Sequence, residues 1–134
     1  MRGFKGVRQW VAAGAIVLAA CSDGTTAPPG VDPQIINATD NFQYQISNIQ
    51  NYGGTQTYSW QNTGTTATIN QSAAITAGTA TLVLRDANGA QVYSRSLADN
   101  GTFSSSAGAA GTWTIRVVYS GVDATVNFRV DKAN

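Results

Sequence analysis

The chain has 134 residues, with eight Lys or Arg, seven Asp, no Glu and no His. Only 11% of residues are charged, so there is no clustered basic footprint of the kind nucleic acid or an anionic lipid surface requires. The absence of histidine and the presence of a single cysteine exclude the usual Cys/His zinc sites and a serine nucleophile served by histidine.

Arg2, Lys5 and Arg8 form a short basic segment, and an apolar run of eleven residues follows from Trp10 to Ala20. A helix that crosses the hydrocarbon core needs roughly 20 residues. A basic start, a short apolar run and small residues before a cut site instead describe a secretory signal. Leu18-Ala19-Ala20-Cys21 resembles the bacterial lipobox. That resemblance implies a lipid joined to the Cys21 sulfur, cleavage just before Cys21, and attachment to a bacterial membrane. Two or more acyl chains hold a protein stably where one would not. In the enterobacterial sorting pattern, Ser22 directly after the cysteine favours the outer membrane. Cys21 is also the only cysteine, so no intramolecular disulfide can form.

Loss of residues 1–20 removes three of the eight basic residues and no acid, which leaves five against seven aspartates, a formal balance of −2. The following segment, "SDGTTAPPGVD" from Ser22 to Asp32, has no apolar period and is rich in Gly, Pro, Thr and Asp. It is read as a solvated tether. Ile35-Ile36 is a candidate first short strand. The expected organisation is a signal peptide over 1–20, a lipidated cysteine and flexible tether over 21–40, and one β-sandwich domain over 41–134.

From Phe42 onward apolar residues recur at every second position, the period of a strand. Phe42, Tyr44 and Ile46 begin the pattern, followed by Tyr58 and Trp60, by Ala67 and Ile69, and by Ala80, Leu82 and Leu84. Trp113, Ile115, Val117 and Tyr119, then Val126, Phe128 and Val130, complete it. Turn residues fall between these runs at Asn51-Tyr52-Gly53-Gly54, Asn62-Thr63-Gly64, Ala77-Gly78, Asn88-Gly89 and Ser120-Gly121. Asn88-Gly89 reads as a hairpin turn, since both residues tolerate positive φ. Ser120-Gly121-Val122-Asp123 is expected to join the last two strands. The Thr, Ser, Gln and Asn of the alternate positions imply antiparallel pairing with one buried face. Seven to eight such strands predict an all-β, antiparallel, two-sheet sandwich of jelly-roll or Ig-like type.

The run "GTWTIRVVYSGVDATVNFRV" resembles the closing hairpin of small bacterial β-sandwich accessory domains of the pre-peptidase C-terminal type, and "LVLRDANGAQVY" resembles their central hairpin. The likeness covers roughly residues 79–131. It implies an accessory module with a secretion, solubility or binding role.

Three aspartates, Asp86, Asp99 and Asp123, are the candidates for a catalytic carboxylate pair. Each sits beside a turn, where an aspartate caps backbone amides, and no catalytic residue is expected. Asp86 with Asn88, and Asp99 beside Asn100, offer oxygen ligands that suit calcium, without the long acidic loop of an EF-hand. Ordinary turns are the expectation, with no metal and no cofactor beyond the covalent lipid. Trp60, Trp113, Tyr119 and Phe128 lie on the apolar period and are expected in the core. Tyr52, Tyr93 and Phe103 are the candidate exposed, ligand-binding aromatics. The expected role is non-catalytic: a membrane-anchored binding or structural module at the cell envelope. The partner classes are a carbohydrate or other polymer, or an envelope protein that docks at a strand edge.

Overall fold

The computed structural model describes residues 32–133. The signal segment, Cys21 and most of the tether lie outside the described residues. Among the described residues there is no helix, and six strands account for most of the chain: β1 (Gln34–Ala38), β2 (Asn41–Asn62), β3 (Ala67–Arg85), β4 (Gln91–Ser96), β5 (Gly101–Ser104) and β6 (Gly111–Lys132). All pairings are antiparallel and belong to one open sheet in the order β1-β2-β6-β3-β4, with β5 also on β3. The all-β, antiparallel expectation holds. Strand pairing also begins at Gln34, inside the segment read as tether.

Three strands are far longer than the sequence predicts. β2 and β6 each have 22 residues and β3 has 19. A straight strand of that length would span about 70 Å, whereas a domain of this size has a radius of gyration of about 13 Å. The strands therefore bend. They do so together, along one line that crosses the sheet.

In β2 the register slips between Ile46 and Ile49, between Ile49 and Tyr52, and between Tyr52 and Gly54. In β3 it slips between Ile75 and Ala77 and again before Thr79. The partners of these positions in β6 run from Val126 to Tyr119. Each slip is a β-bulge, which adds a residue, bends the strand and shifts its side-chain phase. Asn48 and Asn51 take up positive φ in this zone, at 55° and 48°.

Three of the expected turns are thus not chain reversals. Asn51-Tyr52-Gly53-Gly54, Ala77-Gly78 and Ser120-Gly121 are the points where β2, β3 and β6 cross the crease. Ser120 to Asp123 therefore lies inside one strand. Turn residues suit both jobs because both need positive φ. Thr63-Gly64, directly after the last residue of β2, and Asn88-Gly89 do fall in connections between strands, as expected.

The crease folds the sheet over so that β2 faces itself. The Asp40 N–H donates to the Gln61 carbonyl at 2.8 Å, although 21 positions separate them in the chain. Phe42 lies 5.5 Å from Tyr58, ring centre to ring centre. The apolar phase of every strand points into the space between. Phe42, Trp60, Ile69, Leu82, Leu84, Trp113, Ile115, Val117, Val126 and Val130 are fully buried. Aromatic pairs organise this core: Tyr44 stacks on Phe128 at 4.8 Å, and Trp60 meets Trp113 edge-on at 6.0 Å.

A polar cluster sits deep inside, around Gln56. The Gln56 side chain is fully buried, and its Oε1 accepts from the hydroxyls of Tyr44 and Tyr58 at 2.7 and 2.9 Å. The Tyr44 hydroxyl also bonds that of Tyr119 at 2.8 Å. Burial raises the pKa of Tyr44 and Tyr119, so both stay protonated through the physiological range. Gln56 Nε2 has no hydrogen-bond partner among the described residues, and an unmatched buried donor costs about 1–3 kcal/mol.

The crease yields a direct prediction. Gly78 has φ +74°, and a Cβ there would lie 2.2 Å from the Gly121 carbonyl oxygen. Gly89 has φ +85° but open space around it. Gly89→Ala is therefore expected to cost about 1 kcal/mol from backbone strain alone. Gly78→Ala should cost about 3 kcal/mol or more, since strain and a backbone clash add. Urea unfolding of the two variants measures the difference.

Candidate functional site

On the first side of the crease, β1, the first half of β2, the second half of β6, the first half of β3, and β5 stand side by side. Their outward positions carry amides and hydroxyls. Register aligns Ile36, Gln43, Arg129, Asn70 and Thr102 in one row, and Gln34, Gln45, Asn127 and Ser72 in the next. A shallow depression of about 470 Å³ is lined by Gln43, Asn70, Ser72, Thr102, Asn127 and Arg129, over Gln71, Gly101 and Phe128. A second, of about 200 Å³, adjoins it and shares Gln43 and Asn127. The two form one polar strip across the strands.

Part of this strip is already organised by its own hydrogen bonds. Thr102 Oγ1 donates to Asn70 Oδ1 at 2.6 Å, and Gln43 Nε2 donates to Asn41 Oδ1 at 3.2 Å. Arg129 pairs with Asp131 at 3.2 Å, which leaves the strip close to neutral. Gln45, Ser72 and Asn127 make no side-chain hydrogen bond to another described residue. Each amide offers two donors and an acceptor. Such an array suits a ligand rich in hydroxyls, held by several modest bonds on rigid strands.

A further depression, of about 270 Å³, follows the crease and is lined by Asn48, Gln50, Thr76, Asp123 and Thr125 among others. Asp123 Oδ1 accepts the Asn51 N–H at 2.6 Å, and Thr125 Oγ1 accepts that of Asn48 at 3.2 Å. These bonds hold the two left-handed asparagines in place, so the polar groups here serve the bend itself.

The aromatics expected at the surface are mostly not there. Tyr52 and Tyr93 are each only 8% exposed. Tyr52 belongs to the crease, where a phase slip turns it inward against Tyr119 at 5.3 Å. Tyr93 packs into the core, and its hydroxyl donates to Gln71 Oε1 at 2.7 Å. Burial pushes its pKa up to about 12. Phe103 is half-buried, with the Arg95 guanidinium 3.9 Å from its ring centre. No aromatic platform assembles from these three.

The candidate acids are also dispersed. Asp86 follows β3, while Asp123 pairs with Ala77 at the crease. Nine residues of strand separate those levels, about 30 Å. Asp99 lies in the β4–β5 connection and forms an exposed ion pair with Arg95 at 3.3 Å. Among the described residues, no three Asp, Glu, His or Cys side chains gather where they could hold a metal. Asp86 is saturated by its own loops: Oδ1 accepts the N–H groups of Asn88 and Ala90, and Oδ2 accepts that of Ala109, at 2.8–3.0 Å.

The residues of the polar strip were not singled out by sequence reasoning. Gln43, Gln45, Asn70, Asn127 and Arg129 are simply the polar phase of three separate runs. What joins them is the order β2-β6-β3, which alternation does not reveal. The available signal is chemical: outward positions hold amides in these halves and mostly threonine or serine in the others. Neither a scan against protein-family models nor a search of the curated proteins finds a match to this chain.

The Asp86 contacts have a pH consequence. Backbone hydrogen bonds, from Ala109 first and then Ala90, lower its pKa below the ordinary carboxylate value. A carboxylate with a depressed folded-state pKa stabilises the fold above its unfolded pKa, and that stability fades as pH falls through the folded value. Urea unfolding from pH 6 downward should show the wild type losing stability below about pH 4, where ordinary carboxyls protonate. Asp86→Asn should be weaker at pH 6 and decline less steeply.

Proposed function

We propose that this chain is a bacterial lipoprotein, lipidated at Cys21, that displays a non-catalytic β-sandwich binding module at the cell envelope. The observation that carries the binding role is the amide-lined strip of Gln34, Gln43, Gln45, Asn70 and Asn127, a near-neutral surface of hydrogen-bonding groups on rigid strands. Its ligand is a hydroxyl-rich polymer, a neutral polysaccharide. The sandwich reading is supported by the fold-over at the crease, which brings Phe42 against Tyr58 and encloses one core between two layers.

The anchor rests on Leu18-Ala19-Ala20-Cys21 after a basic segment and a short apolar run. Tethering confines the module to a membrane face and raises its effective concentration toward polymer there. The non-catalytic reading is supported by the separation of Asp86, Asp99 and Asp123 and by a sequence without histidine or glutamate.

Two measurements test the two halves of this reading. Intact-mass spectrometry of the membrane fraction should find a chain that begins at Cys21 and carries diacylglycerol. Cys21→Ser should lose both the lipid and the membrane association; its retention in membranes would refute the anchor. In affinity electrophoresis through a neutral glucan, Gln43→Ala with Asn127→Ala should weaken retardation about tenfold, the value of one or two lost hydrogen bonds. Equal retardation of wild type and variant would remove the strip from the function.

A further inference from the structure

The opposite outer face has a different chemistry. It is built from the second halves of β2 and β3, the first half of β6, and β4. Register places Thr57 and Val83 on either side of Arg116, and Ser59 and Arg85 on either side of Thr114. Arg85 and Arg116 are therefore diagonal neighbours on adjacent strands, a separation of about 7 Å at the backbone.

The described residues contain five basic side chains. Three are neutralised: Arg95 by Asp99, Arg129 by Asp131, and Lys132 by Asp40. Arg85 and Arg116 form no ion pair among the described residues, and both lie on this one face. Arg85 Nη1 donates only to the Gly89 carbonyl, at 3.2 Å. The acid next to it in the chain, Asp86, spends its carboxylate on three backbone N–H groups. Outward positions on all four strands are Thr, Ser, Gln, Val or Arg, without a single aspartate. Two like charges at this spacing repel, and no acid among the described residues pairs with either.

We propose that this face is a second binding surface, one that takes an acidic polysaccharide through its carboxylates. Each guanidinium presents a planar fork that matches a carboxylate with two parallel hydrogen bonds. Thr57, Ser59, Thr81 and Thr114 around the pair supply neutral partners for sugar hydroxyls. An anionic lipid surface is a poorer fit, because its recognition draws on clusters of four or more basic residues and this face has two. The described residues carry five basic side chains against six aspartates, so attraction to a polyanion has to come from a local site. The two outer faces then differ in kind: one is neutral and amide-lined, the other cationic and hydroxyl-lined.

Affinity electrophoresis of the full chain through gels that contain polygalacturonate or dextran tests the proposal. Wild type should be retarded by polygalacturonate, and any retardation by dextran, a neutral glucan that the amide strip would take, should be the same with and without Arg85 and Arg116. Arg85→Gln with Arg116→Gln should weaken that retardation about tenfold, as expected when charge-assisted bonds are lost. Arg95→Gln, which removes a positive charge elsewhere, should behave as wild type. Circular dichroism should show all variants folded, since the positions are on the surface. The proposal is overturned if polygalacturonate does not retard wild type, if the double variant is retarded equally, or if Arg95→Gln loses as much. An arginine-dependent preference for phosphatidylglycerol over phosphatidylcholine vesicles, without polygalacturonate binding, would assign the face to lipid and overturn it as well.

Discussion

The structure depends on the continuity of β2, β3 and β6 across a shared crease. Backbone pairing within a sheet is satisfied only if neighbouring strands bend at the same level, because a strand that bent alone would leave its partners' N–H and C=O groups unmatched. The bulges in β2 and β3 and the slip in β6 therefore lie side by side. Once the crease is set, the apolar phase on each side must face the apolar phase on the other. Phe42 against Tyr58 at 5.5 Å and Tyr44 against Tyr58 at 6.1 Å follow from that geometry.

Strand character was legible in the sequence and strand continuity was not. Every inward residue expected from alternation in the runs that begin at Phe42, Ala80, Trp113 and Val126 is in the core. Gly78 and Gly121 looked like hairpin turns because a glycine with positive φ serves a reversal and a bulge equally well. A finer reading of phase separates the two. Buried positions in β6 are odd from Trp113 to Tyr119 and even from Val122 to Val130, a slip of one residue. β3 shows the same change, from odd at Ala67 and Ile69 to even at Ala80 and Leu82. A slip of one residue is what a bulge adds to a strand. Tyr52 was misplaced for the same reason, since its exposure was inferred from a Gly-rich loop that is in fact part of a strand.

The surface was less legible because it depends on which strands are neighbours. Gln43, Asn127 and Asn70 lie far apart in the chain and become one strip only in the order β2-β6-β3. Arg85 and Arg116 come together by the same pairing. The aspartates, by contrast, were read from local chemistry, and Asp86 does cap its own turn. Short-range chemistry is visible from residue type, while a site built across strands needs topology. The crease thus does two things: it closes the core, and it leaves outward strand positions that carry amides on one side of it and Arg85 and Arg116 on the other.

The most direct test of this architecture is a proton NMR map of cross-strand contacts around Ser120-Gly121 in the folded chain. Continuity predicts that Val117 lies beside both Gln56 and Leu82, and that Ala124 lies beside Ile49 and Ile75. A hairpin at Ser120-Gly121 would instead pair Val117 directly with Ala124. Observation of that pair, without the contacts to Gln56 and Leu82, would contradict the creased sheet and everything built on it.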